Sequence, residues 1–449
     1  MDTAQVQKTV RGLMPELLAE LAGLVAIPSV AFPGFPGEPV RRMGDAVVGL
    51  MRRSGAADAR LVDVPGGYPA VYASVPGSPG APTVLLYAHY DVQPAPTAQG
   101  WDTDPWTATT KDGRIYGRGA ADDKSGLVIH AGALRAFGGS PPVGVKLLIE
   151  GEEETVSHLD EFVEAHPDLV RADAFVVADM GNPEVGEPAL TTALRGDVSC
   201  ALRVRTLAFP VHSGLFGGAA PDALLALICI LATLHDDAGD TAVPGLHREE
   251  WTGADMDERV YRASAGLLDG VGLVGTGTLA SRLWSRPSAT VIGIDAPTVK
   301  DAANVLIPEA TAKISMRIPP GADADREMRL LMDHLRAAAP WGVQVDVEPV
   351  KVGRPFAVDM DGPAVRAAGR ALAEAYGTPA GAIGSGGSIP LVATLKAASP
   401  DADVILWGAE DMALSRIHAS NESVDPTEIE RITVAETLML SYLAEPHPA

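Results

Sequence analysis

Thr83-Val84-Leu85-Leu86-Tyr87-Ala88-His89-Tyr90-Asp91 is the stretch on which the fold turns. Residues 83–88 form a short, nearly uninterrupted apolar run, the length of a strand buried on both faces, and the run stops abruptly at His89. Two other runs behave alike. Residues 143–149 lead into Glu150 and the triplet Glu152-Glu153-Glu154, and residues 174–178 lead into Asp179. Helical patterns at 126–137 and 158–165 separate these strands, which is the layout of an α/β protein with a largely parallel central sheet flanked by helices. Such sheets bind ligands beyond the carboxyl ends of their strands. His89, the acids at 150–154 and Asp179 should therefore meet in one crevice. Carboxylates gathered there would repel one another unless a divalent cation neutralised them.

Towards the C-terminus the theme repeats. A helix is expected over 363–376, a strand over 404–407 and a last helix over 426–443, opened by Asp425 as N-cap with Pro426 at N1 and Glu428 at N3. Between the two halves, strands at 197–206, 289–295, 311–318 and 343–350 are longer and alternate, with helices near 221–234 and 324–338. This middle part reads as an inserted α+β domain over 193–352. Residues 1–192 and 353–449 then form the two parts of the α/β domain.

The chain of 449 residues is long enough for more than one core, and 47% hydrophobic against 21% charged residues excludes a disordered protein. With 35 Lys+Arg against 58 Asp+Glu its formal charge is −23. That charge repels phosphate backbones and anionic lipid surfaces, so neither nucleic acid nor a membrane is expected as a partner. Val6, Val10, Leu13, Leu17, Leu21 and Leu24 recur with a helical period around Glu16 and Glu20, unlike an export signal. The most apolar stretch, 223–234, has 12 residues where a membrane span needs about 20, and is expected as a buried helix. Cys200 and Cys229 lack metal-ligand spacing and read as reduced thiols in a core. A cytoplasmic location is the expectation.

His89 and Asp91, at i and i+2 of an extended segment, share a face, so Asp91 can fix the tautomer of a metal-bound imidazole. A plain strand-end cap is the alternative. Asp122-Asp123 follows Gly117-Arg118-Gly119-Ala120 and precedes a helix, where an aspartate ordinarily acts as N-cap. Turned to the crevice instead, such a carboxylate can bridge two ions about 3.5–4 Å apart. Glu152-Glu153-Glu154 would ordinarily be a solvated charge run. Directly after a buried strand, however, one carboxylate can bind metal while its neighbour takes a proton from water. His418 alone reads as structural, as do His130, His158, His166, His235, His247, His334 and His447. Gly384-Ser385-Gly386-Gly387-Ser388 lacks both the phosphate-loop ending and the dinucleotide spacing, which argues against nucleotide binding. It can still bring backbone N–H groups close to a small anionic ligand.

Taken together, His89-Tyr90-Asp91-Val92-Gln93-Pro94, Gly117-Arg118-Gly119-Ala120-Ala121-Asp122-Asp123-Lys124, Glu150-Gly151-Glu152-Glu153-Glu154, His212-Ser213-Gly214, Gly386-Gly387-Ser388-Ile389-Pro390 and His418 carry a family resemblance. The chain resembles the dinuclear zinc metallopeptidases: carnosine and cytosolic nonspecific dipeptidases, glutamate carboxypeptidases, aminoacylases and succinyl-diaminopimelate desuccinylases, most of all the dipeptidase branch. The motifs keep the family's order from His89 to Glu422. The resemblance implies that His89 and Asp179 bind one ion, Glu154 and His418 the other, and that Asp122 bridges them. Asp91 becomes the orienting acid and Glu153 the general base. Two divalent ions are implied, zinc in the first place, with manganese or cobalt as alternatives. Residues 193–352 become a lid through which a homodimer forms, with His212 reaching the partner subunit's active site to stabilise the oxyanion. Arg317, helped by Asn304 and the Gly387-Ser388 turn, would hold the substrate carboxylate.

The reaction so implied is hydrolysis of the amide bond of a dipeptide or small amino-acid conjugate by a hydroxide bridging the ions. Asp at position 179 favours dipeptidases over its competitors: an N-acyl or N-carbamoyl amino-acid amidohydrolase, or a carboxypeptidase. More remote is an inactive dimeric small-molecule-binding homologue. Three departures from the family pattern stand out. Ser125 and Val156 replace customary glycines, and Met180-Gly181-Asn182 after Asp179 leaves recognition of the substrate's amino end open.

Overall fold

The computed structural model describes residues 2–96, 100–387 and 389–445. Its larger sheet has the order Arg60–Val62, Ala70–Val75, Gly144–Glu150, Thr83–His89, Ala174–Val177, Asp403–Leu406. The last four strands are parallel, whereas the first two join antiparallel. Side-chain alternation explains the layers. Val84, Leu86 and Ala88 enter the core formed with helices Thr3–Val25, Lys124–Ala136, Pro363–Tyr376 and Pro426–Leu443. Leu85 and Tyr87 point the other way, into a core with helices Leu159–Ala165 and Pro390–Ala398. The pairing of His89 with Glu150 brings two strand ends level at the carboxyl edge of the sheet. His130 and Glu436 meet between facing helices, with Nδ1 2.9 Å from Oε1, so this histidine is structural.

A smaller, antiparallel sheet has the order Ser288–Asp295, Glu309–Ile318, Gly196–Arg205, Gln344–Gly353. Val198, Cys200, Leu202, Ile314 and Met316 face helices Ala223–Leu231 and Ala324–Ala337 and form a core of their own. Strand Ala189–Leu194 leads into this sheet and also pairs with Gly381–Ser385, which seats the smaller sheet beside the Gly-rich turn. Among the described residues no helix is long and apolar enough to cross a membrane.

One expectation needs correction. Helix Ala223–Leu231 buries Ala223, Ala226, Leu227 and Ile230, but Leu225 and Ile228 are 52% and 50% exposed. The smaller sheet covers only one side of this all-apolar helix. The last helix starts as expected, with Asp425 as N-cap accepting the Thr427 N–H at 2.8 Å, Pro426 at its first position and Glu428 in its first turn. Glu428 accepts from Asn182 Nδ2 and the Tyr376 hydroxyl, each at 2.7 Å. Cys200 is buried, Cys229 only partly, and both are free.

Candidate metal centre

Three strand ends and two loops deliver the candidate ligands. His89 closes Thr83–His89, Glu153 and Glu154 lie in the turn after Gly144–Glu150, and Asp179 stands two residues beyond Ala174–Val177. Asp122 arrives just before helix Lys124–Ala136, and His418 on the loop before Ser423–Val424. The fully buried His89 places Nε2 2.9 Å from Asp122 Oδ1 and 3.7 Å from Asp179 Oδ1. The other oxygen of Asp122 lies 3.0 Å from His418 Nε2, which is itself 3.2 Å from Glu154 Oε2. Asp122 thus turns one oxygen to each half of the cluster.

The adjacent aspartates divide the two tasks open to them. Asp123 is the cap: its Oδ1 accepts the Gly126 N–H at 3.1 Å and its Oδ2 the His89 N–H at 3.2 Å. Asp122 faces the crevice, held by its own N–H, which donates to Glu422 at 3.2 Å. Asp91 works through the backbone. Its two oxygens accept the N–H groups of Glu153 and Glu154 at 3.0 and 3.1 Å. His89 Nδ1 lies 3.1 Å from the Asp91 carbonyl oxygen and 3.5 Å from its carboxylate, so the carbonyl is the nearer acceptor. Gln93 donates to Glu154 at 2.7 Å.

The charges in this cluster conflict in a way that cations would resolve. Burial pushes the Asp179 carboxyl up to about 6. Burial, with repulsion from Asp179, raises Glu153 well above the usual carboxylate range, and burial with repulsion from Asp122 does the same to Glu410. Burial also opposes ionisation of Asp122, yet hydrogen bonds from His418 and His89 hold it well below the usual range. Burial disfavours the His89 imidazolium, but hydrogen bonds to Asp122, Asp179 and Asp91 raise its pKa well above the ordinary value. His418, hydrogen-bonded to Asp122 and Glu154, is pushed up to about 11. Among the described residues, three groups offer ligand atoms within 4.8 Å of one another: His89, Asp123 and Asp179; Asp122, Glu154 and His418; Asp122, Asp179 and Glu410. Imidazole and carboxylate donors without thiolates suit zinc, manganese or cobalt.

A cavity of about 680 Å³ opens over these groups, walled by Asp122, Glu153, Glu154, Asp179 and His418 on one side of the fold. Arg317 and Gly387 also line it, Arg317 from the smaller sheet and Gly387 from the turn after Gly381–Ser385. His212 and Asn304 lie elsewhere. Both are exposed at the small pair Val211–His212 and Val305–Leu306, where the Asn304 carbonyl accepts the Ser213 N–H at 2.9 Å, and neither lines the cavity of its own chain. Ser388 lies outside the described residues. Of the departures, Ser125 is buried and donates to the Ala121 carbonyl at 2.7 Å, while Val156 is exposed.

Two residues of the site escaped the sequence reading. Glu422 accepts from Arg118 at 2.6 Å and from the N–H groups of Gly119, Ala121 and Asp122, so it shapes the loop that presents Asp122. Its partners are remote in sequence, and no local pattern marks it. Glu410 lines the cavity just beyond Asp403–Leu406. A strand followed by an acid was the signal available there, as it was for Asp179.

A mostly parallel α/β sheet that gathers imidazoles and carboxylates at its carboxyl edge, beside a separate antiparallel sheet, defines a metal-dependent hydrolase. The chain belongs to peptidase family M20/M25/M40, which matches residues 85–442, and is a metallopeptidase. It is similar to the cysteinylglycine-S-conjugate dipeptidase of Corynebacterium striatum, 43% identical over 371 residues and covering 81% of each chain. The Beta-Ala-His dipeptidase of Rattus norvegicus is 28% identical over 434 residues, 92% of this chain and 85% of that protein. Among solved structures, the di-peptidase Dug1p from Saccharomyces cerevisiae shares the fold with a TM-score of 0.84 at 24% identity, over 100% of this chain and 99% of the other. Human carnosine dipeptidase 1 gives 0.81 at 26% identity, over 98% of each.

Proposed function

We propose that the protein hydrolyses the amide bond of dipeptides and similar small amino-acid conjugates with a free amino terminus, using two divalent ions, zinc in the first place. The observation that carries this reading is Asp122, whose two oxygens lie 2.9 and 3.0 Å from two different imidazoles. In this assignment Asp122 bridges the ions, His89 and Asp179 hold one, and Glu154 and His418 hold the other. When bound, such a pair polarises the scissile carbonyl and acidifies water. Asp91 fixes His89 and the turn of Glu153 and Glu154. Glu153, half-buried and with raised proton affinity, accepts the proton of the attacking water and passes it to the leaving amine.

Arg317 takes the substrate carboxylate beside Gly387, and Asn304, which sits next to His212 and away from its own cavity, supports it from the partner subunit. His212 of the partner subunit donates to the oxygen that becomes negative in the transition state. Its exposed position away from its own cavity supports that assignment. Residues 193–352 form the lid and dimer contact, and 1–192 with 353–449 the catalytic domain. The two free cysteines suit a cytoplasmic location. The dipeptidase names of the two relatives and Asp at 179 support a dipeptide substrate.

Measuring kcat/KM on free dipeptides, their N-acetyl forms and N-carbamoyl amino acids tests the reading. The free dipeptides should be favoured by about a hundredfold or more. A preference for N-acylated substrates would make the protein an amidohydrolase, and release of C-terminal residues from longer peptides a carboxypeptidase.

A further inference from the structure

The cavity wall contains a carboxylate that the proposed reaction leaves without a task. Glu410 lines the cavity, yet its Oε1 is buried and has no hydrogen-bond partner among the described residues. The neighbouring acids are engaged. Asp411 binds Arg114 at 2.6 Å, Glu422 binds Arg118 at 2.6 Å, and Asp123 caps a helix. Asp122, Glu154 and Asp179 are assigned to the ions, and Glu153 to the proton.

The position of Glu410 is closely determined. It lies opposite Gly181 in the parallel pair of Glu410–Asp411 with Gly181–Asn182, two residues beyond Asp179. A Cβ at Gly181 would come within 2.6 Å of Glu410 Cβ, and one at Gly408 would collide with the carbonyls of Ala178 and Met180. Both glycines are therefore needed for the two segments to approach so closely, and the approach sets Glu410 beside Asp179.

We propose that Glu410 accepts the α-ammonium group of the substrate and makes a free amino terminus a requirement of the site. The inference rests on the dipeptidase reading above. A dipeptide is a zwitterion, and the cavity offers the guanidinium of Arg317 for its carboxylate and the carboxylate of Glu410 for its ammonium. An ammonium group brings both the donors and the positive charge that Oε1 lacks. An N-acyl group supplies no charge and would leave the buried Oε1 without a partner. Because Glu410 also lies within 4.8 Å of Asp122 and Asp179, service as a further metal ligand is the competing assignment.

Glu410→Gln, loaded with zinc, separates the two. Zinc per chain is measured together with KM and kcat for alanyl-glycine and N-acetyl-alanyl-glycine. The expected result is wild-type zinc content, a KM for alanyl-glycine raised by about ten- to a hundredfold, and an unchanged or improved kcat/KM for the acetylated substrate. An unchanged preference for the free dipeptide overturns the proposal, and so does loss of zinc. Should Glu410→Gln not fold, Glu410→Asp serves instead: a raised KM for the free dipeptide alone supports the proposal, and equal changes for both substrates overturn it. If the wild-type protein itself prefers the acetylated substrate, the dipeptidase reading fails, and that result is independent of any variant.

Discussion

Glu153→Gln should lower kcat by about three orders of magnitude while the bound ions stay in place. Gln has the shape of Glu but cannot carry a proton between water and a leaving amine. The substitution leaves the rest of the site alone. Glu153 is absent from each group of clustered ligand atoms, and its tie to Asp91 runs through its backbone N–H at 3.0 Å. The turn that also holds Glu154 should therefore keep its form. Metal content and kcat measured on the same preparation separate loss of the base from loss of ions. A variant with both ions and a near-wild-type kcat would remove Glu153 from the reaction.

His212→Ala should cost about a hundredfold or more in kcat, and the loss should be reversible by a second subunit. In one chain His212 is exposed, its Nδ1 accepting the Gly214 N–H at 3.0 Å, and it does not line the cavity formed by Asp122, Glu153 and His418. This position motivates the proposed role of His212 in the site of another copy. Co-expressing His212→Ala chains with Glu153→Gln chains, tagged differently, gives heterodimers in which one site has both groups intact. Random pairing should restore about a quarter of the wild-type rate, since half the dimers are mixed and each has one competent site. Two inactive parents that yield no activity in the purified heterodimer would contradict a crossing histidine.

The parts of this site legible in the sequence are those where a short apolar run meets a polar residue. His89, Glu154 and Asp179 follow buried strands, and the register of His89 with Glu150 makes those ends coincide. The last helix, Pro426–Leu443, is legible for the same local reason, with Asp425 and Pro426 marking its start. Where two neighbours compete for one task, local pattern cannot decide. Asp122 and Asp123 are both acids before a helix, and only the folded turn shows which one caps. Helix Ala223–Leu231 is apolar all round, so its period cannot say which face lies bare. Strands Ala189–Leu194 and Gly381–Ser385 lie on either side of the insertion in sequence and pair in a small sheet of their own, a contact with no local signature. Glu422 depends on partners brought in by the tertiary fold and for that reason remained hidden, whereas Glu410 follows a strand and was open to the same reading as Asp179.

The most direct test of the account is to strip the protein with a chelator and return zinc stepwise, following bound zinc, amide hydrolysis and thermal stability together. The account predicts no hydrolysis in the stripped protein, saturation at two ions per chain with activity restored, and a rise in Tm as the ions bind. Anomalous scattering should then place both ions around Asp122, between His89 and His418. Full activity in protein free of ions, or ions bound away from Asp122, would contradict it.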